Sequence, residues 1–162
     1  MATAMRFKTW MTVRPRVWKS VEEYRLALRE VGRTVDGNIL YIMGMLLEQV
    51  RDIECELVRV TPAELGLPHG ETRAGIVVRA GMSGLRECPF VLGLHLSAQV
   101  EPIDCEWLML GIEPFTDRVR HTGFYNAFEI LNGPDVNEFR AYYQHPEGVY
   151  AADTRWVFQR AR

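Results

Sequence analysis

Residues 90–100 read Phe90-Val91-Leu92-Gly93-Leu94-His95-Leu96-Ser97-Ala98-Gln99-Val100, and the period assigned to this run decides the fold. Phe90, Leu92, Leu94, Leu96, Ala98 and Val100 recur at every second position, the spacing of a strand with one apolar face. The opposite face would carry Val91, Gly93, His95, Ser97 and Gln99, because successive side chains point to opposite sides. Glu101-Pro102-Ile103-Asp104 reads as a turn into a second strand over Cys105–Ile112. An unbulged hairpin would set Leu110 opposite His95 and Leu108 opposite Ser97. Upstream, Ala74, Ile76, Val78 and Ala80 alternate with Arg73, Gly75, Val77 and Arg79, and Gly81–Gly84 reads as a loop. Cys55–Val60 and Val149–Phe158 complete the strands, the last with Trp156 and Phe158 on one face. The segments together predict an antiparallel meander.

Helical signals flank this block. Ser20-Val21-Glu22-Glu23 is a capping box, followed by Val21, Tyr24, Ala27, Leu28 and Val31 at helical spacing. After the turn Asp36-Gly37-Asn38, the residues Ile39, Ile42, Met43, Leu46, Leu47, Val50 and Ile53 recur at helical spacing. Leu40, Tyr41 and Met45 widen the stripe, so this helix either crosses the centre of the fold or meets a second subunit. Thr61-Pro62-Ala63-Glu64 predicts one helical turn. Residues 116–131 fit either a helix or strands, and Val136, Phe139 and Tyr143 suggest a C-terminal helix. At the N-terminus, Arg6–Val13 alternates as a strand. The acid-poor first 21 residues also have a transit-peptide composition, and the strand is the preferred reading. The expected class is α+β: one domain over 1–162, a largely antiparallel sheet, N-terminal helices and one or two C-terminal helices.

Composition limits the partners. Of the 162 residues, 48% are hydrophobic and 25% charged, the balance of an ordinary globular domain. No apolar run approaches the roughly 20 residues of a membrane-spanning helix. A net charge of -2 gives no general pull towards nucleic acid or anionic membrane, despite 17 Arg against two Lys. The cysteines Cys55, Cys88 and Cys105 are irregularly spaced within apolar segments, which predicts reduced thiols and a cytoplasmic protein.

Candidate chemistry is sparse. His95 and Ser97 share the polar face of the long predicted strand, with Gln99 beyond them, and form the first candidate pocket. His121 is a further candidate acid–base group, beside the basic residues Arg118 and Arg120, with Glu129 nearby as part of a solvated surface. Arg79 and Arg86 flank Gly81–Gly84, whose amides could cradle an anion. His95, Cys88, Cys105 and His121 lack the paired spacing of a structural zinc site, so neither metal nor cofactor is expected. Nucleophile-elbow and phosphate-loop patterns are missing.

Two functions fit. The first is an interaction, assembly or regulatory protein acting as a homo-oligomer, with another protein as the alternative partner. It accounts for the wide apolar helix and for the candidate exposed aromatics Trp10, Trp18 and Tyr142. The second is a small enzyme or small-molecule-binding domain with its pocket around His95. A nucleic-acid binder ranks below both because of the net charge.

Overall fold

The computed structural model describes residues 7–13, 18–46, 54–100, 106–116 and 124–161. Ser20 begins the first helix, α1 (Val21–Glu30), its hydroxyl accepting from the Glu23 amide at 3.2 Å. The Glu23 carboxylate reaches back one residue further than in the usual box, to the Lys19 amide at 2.7 Å. Tyr24, Ala27 and Leu28 form its buried face. Helix α2 (Gly37–Leu46) follows with Ile39, Ile42 and Met43 buried, while Leu40, Tyr41 and Met45 remain partly exposed. The predicted continuation of its stripe through Leu47, Val50 and Ile53 lies outside the described residues. Thr61 and Glu64 cap each other reciprocally, at 2.8 and 3.2 Å, and close the single turn expected there.

Two predicted strands are helices. Arg73–Met82 is α3, with the Thr72 hydroxyl accepting from the Gly75 amide. Only Ile76 and Ala80 are buried on it, four residues apart. The helix stops at Gly84, whose φ of 78° suits glycine in the turn after a helix. Phe90–Gln99 is α4, entered through Pro89. Its residues from Phe90 to Ala98 are all buried, so no polar face exists to reveal the helical period. Gly93 lets α4 approach the sheet, since a Cβ there would press on Ile112 and Phe139.

The strands are β1 (Met11–Val13), β2 (Thr34–Val35), β3 (Cys55–Val60), β4 (Glu71–Thr72), β5 (Leu85–Arg86), β6 (Glu106–Leu110), β7 (Phe115–Thr116), β8 (Phe124–Tyr125), β9 (Ala127–Asn132), β10 (Asn137–Tyr142), β11 (Val149–Tyr150) and β12 (Arg155–Arg160). An eight-stranded sheet has the order β1-β3-β12-β6-β9-β10-β2, with β5 also beside β12. The α+β class holds, but the sheet is mixed: β12–β6 and β10–β2 are parallel. The meander fails because α3 and α4 replace two of its strands. The predicted helix from Val136 to Tyr143 is strand β10, where Phe139 and Ala141 point inward. Residues 124–131 resolve as strands.

The sheet divides two cores. On one face, Leu57, Leu108, Leu110, Phe128, Ile130, Phe139 and Val157 pack against residues of α1, α2 and α4. On the other, Val58, Val60, Met109, Trp156 and Phe158 pack with Ile76 and Ala80 of α3. Trp156 and Phe158 stack with ring centroids 5.9 Å apart, on the common strand face predicted for them. No helix among the described residues is long and apolar enough to cross a membrane.

Candidate functional site

The polar strand face expected around His95 does not exist, because His95 and Ser97 belong to a buried helix. His95 has 0% exposure and stacks on Trp18 with centroids 4.8 Å apart. Burial pushes its pKa down. Trp18 is itself buried, which corrects its reading as an exposed aromatic, and meets the edge of Tyr24. Leu110 lies on the sheet and is not a hairpin partner of His95. Gln99 closes α4 and is partly exposed.

Ser97 anchors a polar network inside this core. Its hydroxyl donates to Leu94 O at 2.8 Å, so the 2.5 Å contact with Tyr24 is a hydrogen bond from the phenol. The Arg33 guanidinium donates to the carbonyls of Ser97 and Val100 at the end of α4. It also reaches Asn137 at 2.9 Å and Asn132 at 3.1 Å. A cation at a helix C-terminus satisfies orphan carbonyls and opposes the helix dipole. The network ties α4 to β9 and β10.

Of the other predicted residues, Arg79 and Arg86 are described, and they do not meet His95. Arg79 donates to Leu65 O at 3.1 Å and pins the 61–67 turn. Arg86 lies exposed on β5, in a cleft of about 290 Å³ that also holds Cys55 and Arg160. Ser83 returns its hydroxyl to Arg79 O, within the helix-ending turn. Arg118, Arg120, His121 and Cys105 lie outside the described residues, and Cys55 and Cys88 are thiols.

A site missed by sequence lies on the sheet face that carries α3. Along β9, Phe128 and Ile130 enter the core below α4, so Glu129 must face the other way. Its carboxylate is 1% exposed and accepts three hydrogen bonds. They come from Trp107 Nε1 at 2.6 Å, Arg140 Nε at 2.5 Å and the Tyr142 hydroxyl at 3.1 Å. Glu129 is therefore part of an internal cluster, not of a solvated surface. Burial, then the neighbouring Glu129 charge, pushes the Tyr142 phenol pKa up. Tyr142 is partly buried.

Alternation places Trp107, Leu131, Glu138, Arg140 and Tyr142 on this same face. The α3 core occupies the β3–β12 side, with Tyr150 edge-on to Trp156 at 5.0 Å. Trp107 stays 51% exposed, beside a shallow depression lined by Ala151, Asp153 and Thr154. A lone acid inside the apolar run Ala127–Ile130 was the signal available for Glu129. Comparison of the chain with protein-family profiles, with curated proteins and with solved structures found no match.

Proposed function

We propose that this chain is a binding and assembly domain that pairs with a second copy of itself through the sheet face centred on Trp107. The observation that carries the reading is the Trp107 indole, half exposed while its N–H is held by the buried Glu129. An aromatic ring fixed before contact loses little freedom on binding, which is the property of an interface anchor. Leu131 and Tyr142 extend the patch on one side, and Ala151 on the other.

Charge favours a second copy as the occupant. Glu138 and Arg140 stand two residues apart on the same face of β10, Arg140 already paired through Nε with its own Glu129. In a two-fold contact the same patch meets itself, so an acid on one copy can face a base on the other. A patch of one sign would repel its own copy. The partly exposed Leu40, Tyr41 and Met45 of α2 add apolar surface elsewhere. The buried setting of His95 gives less support to the alternative of a pocket around that residue.

Dilution of the protein while following tryptophan emission tests the anchor itself. Emission should shift to longer wavelength as dissociation uncovers Trp107, and the shift should vanish in Trp107→Phe. A spectrum independent of concentration in the native protein removes Trp107 from any interface.

A further inference from the structure

Away from Trp107, one cavity is lined by three arginines and no acid. Arg25 and Arg29 lie one turn apart on α1, and Arg33 follows at the same spacing beyond the helix end. All three line one cavity of about 130 Å³, together with Leu28, Thr34 and Val35. Like charges at this spacing weaken a helix slightly. None of the three arginines has an ion-pair partner among the described residues.

Arg33 makes the imbalance acute. It is 1% exposed, and its four hydrogen bonds go to two backbone carbonyls and two side-chain amides. These acceptors carry no formal charge; the two carbonyls end α4, whose dipole offsets only part of the guanidinium charge. One of its five N–H bonds remains after those four. Burial lowers its pKa to about 10, which still leaves it charged at neutral pH. A buried cation with no formal counter-charge beside an open cavity offers an anion a charge-assisted partner. At roughly 30 Å³ per water, the cavity has room for about four waters, or for one tetrahedral oxyanion.

We propose that the cavity between α1 and β2 binds a phosphate group, with Arg33 at its floor and Arg25 and Arg29 at its walls. The group is either free phosphate or the head of a phosphate monoester whose remainder lies outside. Its guanidinium contacts are charge-assisted, while the Thr34 hydroxyl at the rim already donates to Asn137 O.

Calorimetric titration in a chloride buffer of low ionic strength tests the site, with inorganic phosphate and phenyl phosphate as separate probes. Saturable one-site binding of at least one probe is expected, and the tighter of the two identifies the source. Arg25→Gln with Arg29→Gln should weaken it by about tenfold or more, the loss expected for removed charge-assisted contacts. Both positions are exposed on α1, and the single Arg25→Gln variant serves if the double one loses the helix. Trp107→Ala should leave phosphate binding unchanged, which separates this proposal from the assembly reading. Absence of saturable binding by both probes, or unaltered binding in the arginine variants, overturns it.

Discussion

Glu129 shows how one residue can set the character of a surface. Its carboxylate holds Trp107, Arg140 and Tyr142 together, so its removal leaves three donors without their acceptor. Glu129→Ala should destabilise the protein by about 2–4 kcal/mol, discounted for the part-exposed Arg140, which water can resolvate. Urea unfolding measures this, and a loss below about 0.5 kcal/mol would mean that the cluster is not held by Glu129. His95 supplies a second residue-scale prediction. Because burial lowers its folded pKa, the unfolded chain binds its proton more readily. The stability it contributes is intact above the ordinary value of about 6.5 and is lost as pH falls below it. Unfolding free energy should therefore fall more steeply from about pH 6.5 to pH 5 in the native protein than in His95→Gln. Parallel profiles would contradict the buried neutral imidazole. The sequence singles out His95 and Ser97, since polar residues in an apolar run need an explanation. It could not show that the explanation is a hydrogen-bonded and ring-stacked core.

At the scale of elements, legibility followed the presence of a polar face. Helix α1 was readable because Glu22, Glu23, Arg25, Glu30 and other polar residues contrast with Tyr24, Ala27 and Leu28. Helix α4 was not, because a helix buried all round presents apolar residues in every direction and any period can be drawn through it. Pro89 before it and Thr72 before α3 were the surviving local signals, as an N-terminal proline and a capping threonine. Strand β10 failed in the opposite sense: Val136, Phe139 and Tyr143 mimic helical spacing, although only Phe139 of the three is buried. Two substitutions test these assignments. Ser20→Ala should cost about 1 kcal/mol by removing the α1 cap. Gly93→Ala would raise the helix propensity of α4 by about 1 kcal/mol, yet its methyl must displace Ile112 and the Phe139 ring. A net loss of about 1–2 kcal/mol is expected from overpacking. A stabilised Gly93→Ala variant, read by thermal unfolding, would contradict the close docking of α4 on the sheet.

The whole molecule is a mixed sheet with two unequal coverings. Three helices close one face, whereas α3 closes the β3–β12 side of the other. Among the described residues, the area left uncovered by α3 is where Trp107 stands, 51% exposed. A stable dimer needs about 800 Å² from each partner, so the proposed contact would have to extend from Trp107 along β9 and β10 to Glu138 and Arg140. The pairing of β12 with β6 could not be anticipated from sequence, because it joins distant segments in parallel. Light scattering during gel filtration, over a range of loading concentrations, tests the assembly most directly. A mass near twice the 18.7 kDa of the chain is expected, falling to the single-chain value in Trp107→Ala with its far-ultraviolet spectrum unchanged. A native protein that elutes as 18.7 kDa at every concentration, or a Trp107→Ala variant that stays dimeric, would contradict it.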